Sequence, residues 1–181
     1  MNAMRTMARR TRGMAALVVL AGCATLEIPN VPPRTVELRL DPAEWQQVLH
    51  AHDGGISVRE YAAPGERAEA WTRLVSVQVY SDTHLAYPGV RPALSECRAV
   101  LQATCPGAEW TVLRESEQDA VYEWRTAGCP SEPDQHEVGR VMHGGGTWAR
   151  ISFSMKGRMD AATRDAWLRQ LEEARLMAAT P

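Results

Sequence analysis

The chain has 181 residues, of which 20 are lysine or arginine and 22 are aspartate or glutamate, and its formal net charge at pH 7 is −2. Residues 1–22 contain four of the basic residues and no acidic one, so residues 23–181 carry 16 basic and 22 acidic side chains, a net charge of −6. This balance argues against nucleic acid or an anionic membrane surface as a charge-driven partner. Residues 23–181, 159 residues in all, are a normal size for one domain with a substantial core.

The N-terminus combines a basic segment with a short apolar run. Four arginines precede an apolar stretch over residues 14–22. That stretch is far shorter than the roughly 20 residues needed to cross a hydrocarbon core. A basic region, a short apolar region and then small residues are typical of a secretory signal peptide. The sequence therefore predicts that residues 1–22 are a signal peptide that is removed on export.

The end of this run, Leu20-Ala21-Gly22-Cys23, resembles the lipobox of bacterial lipoproteins. The resemblance implies cleavage before Cys23, acylation of its thiol and amine, and a lipid bilayer as partner. Two or three acyl chains hold a protein at a membrane where one does not, at about 0.8 kcal/mol per buried CH₂. Ala24 follows, where aspartate is usual in lipoproteins kept in the inner membrane, so the resemblance implies the periplasmic face of the outer membrane. An ordinary signal peptide cut near Gly22 is the alternative.

The rest of the chain divides into a tether and one domain. Residues 23–33 are rich in proline and poorly patterned, which predicts a tether. In residues 34–181, alternating apolar residues predict strands at 34–40, 56–61, 74–80, 109–115, 120–126, 135–143 and 148–156. Start signals and apolar stripes predict helices at 41–49, 66–71, 92–104 and 160–177. We therefore predict a single α+β domain, an antiparallel sheet with a C-terminal strand meander and helices packed on it.

The six tryptophans raise the question of a sugar-binding platform. Five of them fall on predicted apolar helix or strand faces, which predicts that they fill the core. Trp148, beside the turn Gly144-Gly145-Gly146, is the one whose exposure needs to be checked.

No segment has the spacing of a known catalytic, metal or phosphate site, since HExxH, GxSxG, short cysteine pairs and phosphate loops are all missing. We therefore predict no metal, no cofactor and no enzymatic activity. The stretch GCPSEPDQHE, residues 128–137, is the most unusual, because Asp134, His136 and Glu137 could line a polar pocket. A periplasmic hydrolase that uses this region is the alternative function, and a nucleophile within about 3 Å of His136 would favour it. The simpler interpretation is a proline-shaped loop that leads into a strand.

Three cysteines remain in the predicted domain, and export to an oxidising compartment favours pairing two of them. Cys97 lies on the apolar stripe of a predicted helix, as a small buried hydrophobic residue would. If the next two strands form a hairpin with Trp110 opposite Trp124, the same register sets Cys105 opposite Cys129, within reach of a disulfide. We predict a Cys105–Cys129 disulfide. Pairing of Cys97 with Cys129 is the alternative, because sequence alone does not fix connectivity.

Three segments of the body, within residues 60–79, 105–141 and 158–176, resemble small uncharacterised lipoproteins of Gram-negative bacteria. The layout is also similar to the α/β/α-like sandwich of Mog1/PsbP-type domains. Such domains are generally non-catalytic binding modules, so the resemblance implies an envelope-anchored lipoprotein that presents one domain to an unknown protein or small ligand. A structural, cell-wall-associated lipoprotein is a further hypothesis, although no peptidoglycan-binding signature supports it.

Overall fold

The computed structural model describes residues 34–53, 55–81, 89–129 and 133–178. The predicted signal peptide, the lipobox cysteine Cys23 and the predicted tether lie outside the described residues. Within the described ranges, no helix has both the length and the apolar character needed to cross a membrane.

A seven-stranded antiparallel sheet forms the centre of the domain. In chain order the elements are β1 (Arg34–Glu37), β2 (Gln46–Asp53), β3 (Ile56–Ala62), β4 (Arg73–Ser81), α1 (Val90–Thr104), β5 (Glu109–Glu115), β6 (Asp119–Arg125), β7 (Gln135–His143), β8 (Thr147–Lys156), α2 (Ala161–Glu173) and β9 (Arg175–Ala178). The sheet has the order β2-β3-β4-β8-β7-β6-β5, and β1 pairs with β9 in a separate two-stranded ladder. The predicted α+β class, with its C-terminal meander, is confirmed.

Because successive side chains of a strand point to opposite sides, the sheet has two faces, and each buries an apolar cluster. On the first face, which we name the α2 face, sheet residues pack with α2 and with the β1–β9 ladder, and the buried residues include Val77, Ile151, Phe153, Trp167 and Leu171. On the second, which we name the α1 face, the sheet packs against α1, and the buried residues include Val90, Leu94, Ala120, Tyr122 and Val141. The helices therefore lie on opposite sides of the sheet. Trp148, whose exposure was in question, is 5% exposed and belongs to the cluster on the α1 face.

The predicted helix over residues 41–49 is wrong. Asp41 begins a single turn, in which its carbonyl oxygen accepts a hydrogen bond from the N–H of Trp45, but the chain then enters β2. β2 pairs with β3 in a register that sets Asp53 opposite Ile56. Asp53 is therefore the last residue of a strand that turns back into β3, and not the end of a helix. Strand pairing with β3 overrides the local helix signal.

The short helix predicted over residues 66–71 is also wrong. This segment forms a turn closed by an isolated bridge between Arg67 and Ala70. The Glu66 carboxylate accepts hydrogen bonds from the N–H of Thr72 at 3.0 Å and from its hydroxyl at 2.5 Å. Glu66 therefore bonds six residues ahead across the turn, instead of taking part in a helical repeat.

The C-terminal helix ends four residues earlier than predicted, at Glu173. Arg140 of β7 donates Nη1 hydrogen bonds to the carbonyl oxygens of Leu171, Glu172 and Ala174, at 2.8, 3.0 and 3.1 Å. A cation at this position satisfies carbonyls that have no partner in the helix and interacts well with its C-terminal dipole. The chain then forms β9, which sets Leu176 opposite Val36 of β1. Leu176 reaches the core from a strand, not from the predicted helical stripe.

The β5–β6 hairpin has the predicted register, with Trp110 opposite Trp124. Beyond the paired residues, the structure joins Cys105 and Cys129 in a disulfide whose Cα atoms are 5.3 Å apart. Cys97 is the free cysteine among the described residues, and it is partly buried on α1. The disulfide ties the C-terminal end of α1 to the segment that follows β6.

We predict that replacing both Cys105 and Cys129 by serine lowers the free energy of unfolding by about 3 kcal/mol, because the bond closes a loop of 24 residues in the unfolded chain. Urea denaturation measures the loss, and peptide mapping without reductant identifies the bond. Cys97→Ser is the control, since it removes a thiol but no crosslink and should cost much less. A crosslinked peptide containing Cys97, or a double variant as stable as the wild type, would contradict the pairing.

Candidate ligand site under helix α1

A cavity of about 460 Å³ lies between α1 and the α1 face of the sheet, and we name it the α1 cavity. On the helix side it is lined by Ala93, Glu96, Cys97, Val100, Leu101 and Thr104. On the sheet side it is lined by Tyr80, Trp110, Trp124, Thr126, Gln135, Trp148 and Arg150, and the disulfide cysteines complete the lining. Its size falls within the range of about 300–1,000 Å³ that is usual for small-molecule sites.

The alternation of the central strands brings the aromatic rings and one arginine to this wall. On β6, Tyr122 and Trp124 share the α1 face, whereas Glu123 between them points to the α2 face. On β8, Trp148 and Arg150 share the α1 face in the same way. The rings of Trp110 and Tyr122 stack with centroids 4.7 Å apart, and Tyr80 meets Trp148 edge to face at 5.3 Å. The wall is therefore built from rings that neighbouring strands hold in place.

A buried carboxylate, that of Glu137, supports this wall from within. Glu137 is 4% exposed. Its Oε1 accepts hydrogen bonds from the Tyr122 hydroxyl at 2.8 Å, the Trp124 indole at 2.9 Å and Arg150 Nη2 at 2.7 Å. Its Oε2 accepts from the Ser154 hydroxyl at 2.6 Å. Four donors thus compensate for the loss of water around this charge, as burial of a carboxylate requires.

Arg150 connects this carboxylate to the α1 cavity. Its Nε donates to the Tyr122 hydroxyl oxygen at 2.7 Å, and its Nη2 donates to Glu137. Its side chain is 22% exposed and lines the cavity. Within the part of the chain that the structure describes, Nη1 of Arg150 has no hydrogen-bond acceptor. The guanidinium is therefore held by two of its nitrogens and has a third one available.

The surrounding charges and hydrogen bonds keep Glu137 and Arg150 ionised, and burial keeps the nearby Tyr122 and Cys97 protonated. Burial alone would raise the pKa of Glu137, but the Arg150 charge and the hydrogen bonds from Ser154, Tyr122 and Arg150 outweigh it, so the pKa lies below its ordinary value. Burial raises the pKa of Tyr122 well above its ordinary value, which keeps the phenol proton in place as a donor. Burial also raises the pKa of the Cys97 thiol, so that group is a poor nucleophile at neutral pH.

A glycine makes room for the Tyr122 ring. Gly139 of β7 lies opposite Tyr122 of β6. A Cβ atom at position 139 would overlap the phenol ring. The missing side chain lets the ring lie across β7, so that its hydroxyl reaches both Glu137 and Arg150.

The structure does not bring the three predicted polar-site residues together. Asp134 is exposed and accepts a hydrogen bond from the N–H of Gly128 at 2.7 Å. His136 and Glu137 are successive residues of β7, so their side chains point to opposite faces of the sheet. Of the three, Glu137 lies beneath the α1 cavity.

His136, the proposed base of the hydrolase alternative, has partners at both ring nitrogens. The N–H of Met159 donates to Nδ1 at 3.1 Å, so we assign the proton to Nε2, which donates to Glu123 at 2.8 Å. Arg164 also binds the Glu123 carboxylate, and its Nη2 donates a hydrogen bond to it at 2.6 Å. Neither ring nitrogen contacts a hydroxyl or a thiol, so the contacts do not favour the hydrolase. In the described ranges, no group of three or more histidine, cysteine, aspartate or glutamate side chains could hold a metal ion.

The comparisons with known proteins give information on the fold alone, through the likeness to one solved structure. Neither a protein-family model nor a curated protein matches this chain. A mutant of the protein Mog1 is similar with a TM-score of 0.50 and 10% identity, over 80% of this chain and 92% of that one. PsbP of the cyanobacterium Synechocystis is similar with a TM-score of 0.45 and 14% identity, over 87% of this chain and 98% of that one. The likeness to Mog1 agrees with the sandwich layout that the sequence resemblance implied.

We predict that Arg150→Met alone costs about 3–5 kcal/mol of unfolding free energy, because it leaves the Glu137 charge buried without a cation. Adding Glu137→Gln removes that charge but keeps a side-chain oxygen for Tyr122 and Trp124, so the double variant should recover most of the loss. Urea denaturation of the wild type, both single variants and the double variant measures the coupling. Additive losses in the double variant would show that the two side chains do not act as a pair.

Proposed function

We propose that the protein is an envelope lipoprotein, acylated at Cys23, whose α+β domain binds a small molecule in the α1 cavity without transforming it. The observation that carries the binding part is the cavity itself, which combines ring-lined walls with one guanidinium held in position. A largely apolar pocket with few, fixed polar groups is the usual form of a small-molecule site. The size of the cavity suits a compact ligand.

The anchoring part of the proposal comes from the sequence. The lipobox resemblance at Leu20–Cys23 predicts acylation, and Ala24 favours the outer membrane, with the domain on its periplasmic side. The Cys105–Cys129 pair is what an exported domain would use, since disulfides persist in oxidising compartments. Residues 23–33 would then let the domain stand away from the bilayer.

Binding without catalysis is supported by the state of the candidate reactive groups. Both nitrogens of His136 are occupied by Met159 and Glu123. The pKa of Cys97 is raised by burial, which opposes thiolate formation. The Glu137 carboxylate is nearly inaccessible and already accepts four hydrogen bonds.

We predict that the wild-type protein incorporates labelled palmitate, sediments with outer-membrane markers in a density gradient, and has an intact mass that includes acyl chains at Cys23. Cys23→Ser should lose the label, because the thiol is the acceptor. Equal release of both forms into the soluble periplasmic fraction would refute the anchoring. Recovery with inner-membrane markers would count against outer-membrane sorting alone.

We predict that a neutral fluorescent dye such as Nile red binds the domain and that Leu101→Trp weakens binding at least tenfold, because the larger ring fills the α1 cavity. Leu113→Trp makes the same change at a side chain that is 39% exposed and does not line the cavity, so it should bind the dye like the wild type. Fluorescence titration measures affinity, and thermal melting checks that both variants fold. Equal affinity of Leu101→Trp and the wild type would place dye binding elsewhere and contradict the role of the cavity.

A further inference from the structure

We infer that the ligand of the α1 cavity is an uncharged, planar and largely apolar molecule with one hydrogen-bond acceptor, such as an amide or ketone oxygen, that binds to Arg150. This inference rests on the proposed function, because it names the class of molecule for the same site. Three features of the cavity define the class: the rings, the available donor and the balance of charge.

The walls favour a planar, apolar body. Rings of four residues line the sheet side, namely Tyr80, Trp110, Trp124 and Trp148, and Val100 and Leu101 line the helix side. Aromatic faces and edges gain most from other rings, which they meet by stacking or edge to face. A planar ligand of the size of an indole or a naphthalene would make such contacts within about 460 Å³.

Among the polar groups of the wall, Arg150 offers a charged donor that is held in place. The Thr104 hydroxyl already donates to the carbonyl oxygen of Val100 at 3.1 Å. Arg150 is different, because Nε and Nη2 are bonded and Nη1 is not, within the described chain. Since Tyr122 and Glu137 fix the guanidinium, a ligand acceptor would meet Nη1 without the entropy cost of ordering a long side chain.

The charges around the cavity disfavour an anionic ligand. Glu137, behind the wall, neutralises Arg150, and Glu96 adds a carboxylate to the lining itself, so these three groups together have a net charge of −1. Residues 23–181 also carry a net charge of −6. A carboxylate ligand would lose its water and enter a negative surrounding, whereas a neutral carbonyl has a much smaller desolvation cost and no charge to be repelled.

A cationic ligand is disfavoured for a different reason. It would need an acceptor, but the oxygens of Glu137 already accept four hydrogen bonds and the residue is 4% exposed. The Glu96 carboxylate is exposed to solvent, where water and salt screen its attraction for a cation. A cationic ligand would also lie close to the Arg150 guanidinium. The arrangement therefore selects an acceptor that has no formal charge.

Four matched probes test the class on the full chain at pH 7 by isothermal titration calorimetry: indole-3-acetamide, indole-3-acetate, tryptamine and 3-methylindole. We expect the amide to bind about tenfold or more tightly than 3-methylindole, as one hydrogen bond to a charged donor provides. We also expect it to bind more tightly than the acetate and tryptamine. An acetate or a tryptamine that binds as tightly as the amide overturns the inference. Failure of all four probes to bind also overturns the inference. That result would follow if another segment of this chain occupied the cavity.

The double variant Arg150→Met/Glu137→Gln tests the contact itself. It removes the donor and the buried charge together, so the protein is expected to fold, and thermal melting checks this. The ratio of amide to 3-methylindole affinity should fall to about one, and a ratio that persists overturns the assignment to Arg150. Tighter acetate binding that Leu101→Trp abolishes would overturn the ligand class but keep the cavity as the site. If Leu101→Trp left the affinity for the probes unchanged, that result would count against the proposed function.

Discussion

The buried carboxylate of Glu137 constrains the centre of this domain, because four donors on β6 and β8 converge on it. Its donors come from both neighbouring strands, and strand pairing places them, with Trp124 of β6 and Ser154 of β8 opposite Glu137. A shift of one residue in the register of β7 would move Glu137 to the apolar α2 face and leave the donors without their acceptor. A buried ion that loses its partners costs several kcal/mol, so this register is fixed by polar as well as apolar contacts.

The same interaction gives the α1 cavity its shape. Glu137 holds Trp124 by its indole N–H and Arg150 by one guanidinium nitrogen, and both residues line the cavity. Tyr122 links them, since its hydroxyl donates to Glu137 and accepts from Arg150. The binding wall is thus an extension of the core rather than a loop feature. Groups fixed in this way recognise ligands with little loss of entropy, which is why we place the function here.

The elements predicted best from the sequence were those with strong, regular patterns. Strict alternation of apolar and polar residues predicted the strands of the β5–β8 meander. The register of the β5–β6 hairpin was predicted by setting Trp110 opposite Trp124. The elements around Asp41, Glu66 and Leu176 were misassigned because distant contacts decide them. Residues 46–53 form a strand because they pair with β3. Helix α2 ends where the Arg140 guanidinium binds its carbonyl oxygens, although the apolar stripe in the sequence continues beyond that point. Local propensity carries no information about either partner.

The site was harder to predict than the fold. Neighbours in sequence, such as His136 and Glu137, suggested one polar pocket, yet alternation along a strand separates them. In the strand WARISFSMK, Arg150 alternates with the apolar Ala149, Ile151 and Phe153, so the alternation alone assigns it to a polar face. It is largely buried because α1 covers that face as well. The signal in the sequence was weaker: two opposite charges, Glu137 and Arg150, within two consecutive predicted strands. The sequence does not fix the register of the β7–β8 hairpin, and only that register shows that Glu137 and Arg150 lie on the same face of the sheet.

The central claim is that Glu137 remains ionised inside the protein because Arg150 and three neutral donors stabilise its charge. Side-chain ¹³C NMR of the Glu137 carboxyl, followed during an acid titration, tests this most directly. A pKa lowered in the folded state means that the group adds stability above the unfolded-state pKa and that this stability is lost as the pH falls through the folded-state pKa. The account predicts that Glu137 titrates below 4.5, its ordinary value. Titration above 4.5 would show that burial outweighs the Arg150 pair and would contradict the account.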